Sequence, residues 1–173
     1  MNGLWLLLPF LLIRFGLLAI FSREAVGRAA HFAPMAGGER AACWVYQLSN
    51  AALLLYLPFL RVRAAGSLPF FAGLMCYLGG LALCAASMAG FAAPSGGGLR
   101  TGGVYRFSRN PMYVSYFLCF AGMALLVRSA ALAAIVLVFQ VSAHWIILAE
   151  ERWCLETFGA DYRRYAERVR RYL

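Results

Sequence analysis

Five long apolar segments, separated by short polar or glycine-rich stretches, leave few folds open to this chain. They run approximately Leu4–Phe21, Cys43–Leu60, Pro69–Phe91, Pro111–Val127 and Ser129–Leu148. Each is close to the roughly 17–25 residues a helix needs to cross about 30 Å of hydrocarbon. In lipid every backbone N–H and C=O must be satisfied within its own segment, so helix is the natural form. Composition agrees. Of 173 residues, 63% are hydrophobic and 13% charged, more apolar than one soluble core can hide. The expectation is an all-α integral membrane protein with about five transmembrane helices and a C-terminal amphipathic helical tail. Residues 1–92 would hold the first three helices. Residues 93–173 would hold a Gly-rich loop, a transmembrane helical hairpin and the tail. The N-terminus lacks a basic n-region and a small-residue cleavage site, so the first segment reads as a retained span.

Charge supplies an orientation. All sixteen basic side chains other than histidine are arginines, and the formal net charge is +9. The arginines are spread over the connections between apolar runs, which membrane topology explains better than a nucleic-acid partner does. With five spans, one side carries Arg23, Arg28, Arg40, Arg100, Arg106, Arg109 and the six from Arg152 to Arg171. The other carries Arg61, Arg63 and Arg128, giving twelve against three. The positive-inside rule then predicts a cytosolic Gly-rich loop and C-terminus, with the N-terminus outside. The five cysteines fall mostly in apolar stretches, form no CxxC, and share the chain with only two histidines. No metal site is expected. Nor is there a P-loop, a strand-linked GxGxxG, an H-E-x-x-H or a G-x-S-x-G.

Three constellations carry chemistry. Arg109-Asn110-Pro111-Met112-Tyr113 opens the fourth segment. Asn is a preferred N-cap, and Pro fits the first helical position because its missing N–H is not needed there. The helix should start at Pro111, its free N–H groups and Arg109 forming an anion site. A capped helix with an interfacial arginine would show the same residues, and Tyr105, Tyr113 and Tyr116 also suit an interfacial aromatic belt. On the fifth segment, Gln140, His144 and Glu151 share roughly one helical face while Glu150 points elsewhere. Ionisable groups at this depth are costly unless they face protein or a wet cavity, which makes them site candidates. Packing for His144 and interfacial solvation for the two glutamates are the plainer alternatives. Because only Val127-Arg128-Ser129 joins the two segments, a tight antiparallel hairpin should bring Arg109 and Glu150/Glu151 over one pocket. In the tail, Gly159 reads as a helix stop before a short amphipathic helix. Arg14, midway along the first segment, reads first as a snorkelling side chain or an interhelical partner and only second as functional.

Together these pieces resemble the isoprenylcysteine carboxyl methyltransferase family and, beside it, the membrane phospholipid N-methyltransferases. The matching residues are Gly103-Val104-Tyr105, then Arg109-Asn110-Pro111-Met112-Tyr113, then Glu150-Glu151, and Phe158-Gly159-Ala160-Asp161-Tyr162-Arg163-Arg164-Tyr165. Asn110 stands where that family usually has His, Ser115 where it has Gly, and Cys154 where it has Leu. The resemblance covers roughly Leu99 to Arg171. It implies S-adenosylmethionine in a cytosolic pocket of the C-terminal half, closed by the tail, with a lipidic or prenylated acceptor entering from the bilayer. It implies catalytic roles for Arg109, Glu150 and Glu151. Cofactor contacts are implied for Gly103, Tyr105, Arg109, Asn110, Pro111, Tyr113, His144, Glu150, Glu151 and Tyr162. The first acceptor expected is an isoprenylcysteine-like carboxylate, with a phosphatidylethanolamine-type amine as the near alternative and a thiol as a further one. An NADPH-dependent sterol-type reductase and a non-enzymatic membrane protein are the alternatives of another class. Oligomeric state is open.

Overall fold

The computed structural model of the chain describes residues 2–16, 33–63, 66–92 and 98–173. Among them are six α-helices and no strand: α1 Leu4–Leu11, α2 Gly38–Tyr56, α3 Leu68–Ala92, α4 Pro111–Val127, α5 Ala130–Phe158 and α6 Ala160–Arg168. A π-helical turn, Leu12–Gly16, prolongs α1, and 3-10 turns follow α2 at Leu57–Phe59 and lead into the site at Gly103–Arg106. The end of the first apolar segment, Arg23, Arg28 and the Pro94 to Gly97 stretch lie outside the described residues. The fourth segment has the expected bounds, and the fifth runs ten residues further than expected, to Phe158.

The helix bounds follow from local chemistry. Pro111 begins α4, and Arg128 ends it in the left-handed region at φ 51°, uncommon for a residue with a Cβ. Ser129 then accepts from Leu132 N–H at 3.2 Å as the cap of α5, and the Arg128 guanidinium is bonded to the Ser67 hydroxyl at the foot of α3. The two-residue reversal forces α4 and α5 antiparallel. Gly159, at φ 53°, separates α5 from α6.

Packing couples the first helices to the last. The closest pair is α3 with α4, where glycines remove the side chains that would hold the backbones apart. A Cβ on Gly122 would lie 2.5 Å from Tyr77 N, one on Gly80 2.6 Å from Cys119 N, and one on Gly73 2.9 Å from the Leu125 Cβ. Gly79, next to Gly80, faces open space. Gly122→Ala is therefore expected to cost about 1–3 kcal/mol by overpacking, read as a lower melting temperature in detergent, with Gly79→Ala close to wild type. A chain of rings ties the other helices together: Phe10 to Phe120 at 5.0 Å, Phe120 to Phe139 at 5.2 Å and Phe139 to Tyr46 at 4.6 Å.

The two ends of the bundle differ. Gly3 N–H donates to Leu60 O at 2.8 Å, and Arg63 N–H to Leu126 O at 3.0 Å, so Arg61, Arg63 and Arg128 gather at one end. Arg40, Arg109, Arg152 and Arg171 gather at the other, where Arg152 grips Glu39 at 2.8 Å across α5 and α2. Large apolar side chains face outward along α2 (Trp44, Leu48, Leu55), α3 (Phe71, Met75, Leu78) and α5 (Leu137, Val141, Trp145). Among the described residues α3 and α5 are long and apolar enough to cross a membrane, and the apolar α1 and α4 are shorter.

Candidate active site

At the arginine-rich end, the start of α4 and the last third of α5 stand side by side, as the short hairpin requires. Glu151 is the centre of a clamp. Its Oε1 lies 3.4 Å from the Arg109 guanidinium and accepts from Asn110 Nδ2 at 3.1 Å. Its Oε2 takes the Arg171 guanidinium, from Nε at 3.0 Å and Nη2 at 2.9 Å. Only 11% of the Glu151 side chain and 13% of that of Arg109 are exposed, so these charge-assisted bonds are little screened. The carboxylate holds the Arg171 guanidinium still more firmly protonated.

The clamp draws the residues after α6 back over the site as an extended strap. Arg109 N–H donates to Arg170 O at 2.9 Å, and the Ser108 hydroxyl and Asn110 amide reach Arg171 O at 3.4 and 3.2 Å. One step on, the Tyr172 hydroxyl meets His144 Nδ1 at 2.6 Å. The side-chain cap expected of Asn110 is absent. Its amide spans Glu151 and the strap instead, because a carboxylate is a stronger partner than a helix N–H. The Ser108 hydroxyl accepts from Asn110 N–H at 3.1 Å.

Glu150 faces another way, as the helical turn of about 100° per residue dictates. It is half-buried, accepts from the Tyr113 hydroxyl at 2.9 Å, and forms no ion pair among the described residues. Tyr113 belongs to a cluster of rings from α2 and α4: 6.4 Å from Tyr46 and 6.3 Å from Tyr116, centroid to centroid. Arg14 lies against that cluster, 4.6 Å over the Tyr116 ring. The two adjacent glutamates thus do different things: Glu151 binds the chain to itself, and Glu150 presents a carboxylate to an aromatic interior.

The remaining expected residues divide the same way. Tyr105 is buried, its hydroxyl 3.5 Å from Ser87 O and its carbonyl accepting from Tyr165 at 2.6 Å, which pins the loop to α3 and α6. Burial pushes the Tyr165 phenol up to about 12. Gly103 is exposed at φ 59° and starts the 3-10 turn that delivers Tyr105. Pro111 is buried at the first position of α4, and Tyr162 is buried on α6, with Arg109 and Glu151 within electrostatic reach. Among the described residues, Gln140 Oε1 is buried without a hydrogen-bond partner, as is Arg109 Nε.

Sequence reasoning missed Arg171 and Tyr172 as site residues, Tyr46 as the ring beside Tyr113, and Glu39 as the partner of Arg152. Arg152 holds the Glu39 carboxyl down at about 2. That pair stabilises the fold above the usual carboxylate range near 4.5 and loses its contribution as pH falls towards 2. A groove of about 690 Å3, lined by Ser67, Phe117, Leu125, Arg128 and Val136, opens at the opposite end, away from these groups.

Fold and site describe an all-helical bundle with an apolar outer face and one charged, strapped end. The chain belongs to the phospholipid methyltransferase family, whose model matches residues 70–161, more than half its length. This is the family of membrane enzymes that takes in isoprenylcysteine and phospholipid methyltransferases. The match spans α3, α4 and α5 with Arg109, Asn110, Tyr113, Glu150 and Glu151; α1, α2 and the strap lie outside it. Comparison with curated proteins and with solved structures found no match.

Proposed function

We propose that the chain is an S-adenosylmethionine-dependent methyltransferase acting on a lipidic acceptor embedded in the membrane. The observation that carries this reading is the Glu150–Tyr113 pair at the junction of α4 and α5, inside the family-matched region and facing a cluster of aromatic rings. The donor set fits the cofactor. A carboxylate suits its amino or hydroxyl groups, and tyrosine faces suit a sulfonium cation. When bound, the cofactor supplies an electrophilic methyl group on sulfur. Such a transfer is an in-line displacement, which needs alignment and exclusion of water more than covalent help.

In this reading Glu150 and Tyr113 touch the reactants. Arg109, Asn110, Glu151 and His144 act as positioning residues through the strap, with Pro111, Tyr162, Gly103 and Tyr105 shaping the walls. Residues 1–92 select the acceptor, and residues 93–173 hold the cofactor. Five spans with the strapped end in the cytosol complete the proposal, supported by the arginines that the fold collects at that end.

An isoprenylcysteine-like carboxylate is the first acceptor. It is ionised at neutral pH and needs no general base. A phosphatidylethanolamine-type amine is the second, favoured by one observation: Glu150 is a half-buried carboxylate without a cationic partner among the described residues, suited to receive the proton an amine must lose. Family membership speaks for methyl transfer over the reductase and non-enzymatic alternatives. The test incubates purified protein with S-adenosylmethionine carrying a labelled methyl group and a membrane lipid extract. Label in a lipid ester or a methylated headgroup is expected and identifies the acceptor. Absence of S-adenosylhomocysteine binding by calorimetry would overturn the assignment.

A further inference from the structure

Arg14 is the one charged side chain of the apolar run Leu4 to Gly16, about 15 Å along the helix from Leu4 at 1.5 Å per residue. A cation at that depth is costly without a partner. Its side chain turns inward, half-buried, with its guanidinium over the Tyr116 face and hydrogen-bonded to the Tyr46 phenol, which also lies within electrostatic reach of Glu150. The turn that carries it, Leu12–Gly16, is π-helical, an irregularity found often at functional positions.

Among the described residues, what Arg14 lacks is an anion. No carboxylate among the described residues forms an ion pair with it: Glu39 is held by Arg152, Glu151 by Arg109 and Arg171, and Asp161 by Arg164; Glu150 accepts from Tyr113, and Glu156 and Glu167 form no ion pair with it. The contact with Tyr116 occupies a face of the guanidinium. Its five N–H donors lie in the plane of the group; Tyr46 engages one, and those that remain have the geometry that grips a carboxylate or phosphate by two bonds.

We infer that Arg14 binds the anionic group of the lipidic acceptor, a carboxylate or a phosphodiester, and holds the acceptor beside the Tyr46–Tyr113–Tyr116 cluster. This rests on the methyltransferase reading above and adds to it an acceptor-selecting residue that lies outside the family-matched region. Both acceptor classes carry the required anion. A neutral lipid alcohol does not.

The test measures binding of three probes of equal chain length, dodecanoate, dodecyl phosphate and dodecanol, to the full chain in a neutral maltoside detergent. Wild type is expected to bind at least one anion ten-fold or more tighter than dodecanol, and the preferred anion tells carboxylate from phosphate. Arg14→Gln should erase the discrimination, Arg14→Lys should keep part of it, and Arg128→Gln at the far end should leave it intact. Arg14→Met serves if Arg14→Gln does not fold. Equal anion binding by wild type and the Arg14 variants, or no discrimination in wild type, overturns the inference. S-adenosylhomocysteine binding, measured in parallel on the same proteins, reports separately on the methyltransferase reading.

Discussion

Glu150→Gln is expected to lower methyl transfer at least ~100-fold, the scale on which a positioned acid or base acts, while the melting temperature stays near that of wild type. The amide keeps the shape of the side chain and can still accept from Tyr113, now at 2.9 Å. Only the negative charge is lost. With an amine acceptor that charge takes up a proton in the reacting complex, so the loss falls on kcat. With a carboxylate acceptor the charge serves the cofactor, and the loss appears largely in the KM for S-adenosylmethionine. Tyr113→Phe, which removes a donor and leaves the carboxylate, should cost less. Near-normal turnover in Glu150→Gln would remove this residue from the site.

Glu151→Ala should fail differently. It leaves two guanidinium groups, Arg109 and Arg171, facing each other with no carboxylate between them, where the Arg109 side chain is only 13% exposed. Truncating one member of such a cluster costs about 3 kcal/mol. The damage is expected to be local. Amide hydrogen exchange from Val169 to Tyr172 should accelerate, since Arg171 and the Asn110 bridge lose their anchor, while α3 and α4 keep their protection. On the proposed reading, methyl transfer is expected to fall with it, because Glu151 no longer positions Arg109 and Asn110 at the start of α4. Glu151→Gln, with one acceptor oxygen left, should lie between. Unchanged exchange of the strap in Glu151→Ala would show that the clamp does not hold it.

These two outcomes mark what the sequence could and could not disclose. The 100° step between consecutive helical residues already separates Glu150 from Glu151, and the short link Val127-Arg128-Ser129 already brings the end of α5 beside Arg109. Pro111 as the first residue of α4 was legible for the same reason, being a property of one or two residues. The partners were not. Arg171 meets Glu151 across twenty residues and Asn110 across sixty-one, and no periodicity in the chain points from one to the other. Asn110 shows the limit most clearly. Its local preference for capping is real, but a carboxylate and a carbonyl brought close by tertiary packing outcompete it. The Tyr46–Tyr113 contact was hidden likewise, because it depends on where α2 packs against the α4–α5 hairpin rather than on any motif.

The glycine seam between α3 and α4 has a consequence for motion. Where Gly73, Gly80 and Gly122 bring backbone against backbone, neither helix has side chains that can change rotamer to let the other slide. The pair therefore moves as one rigid stave. Any breathing that admits a long hydrocarbon chain must take place along the other contacts, between α1 and its neighbours or between α2 and α5, where rings and flexible aliphatic groups can swing aside. Arg14 sits on the first of those hinged walls and Tyr46 on the second.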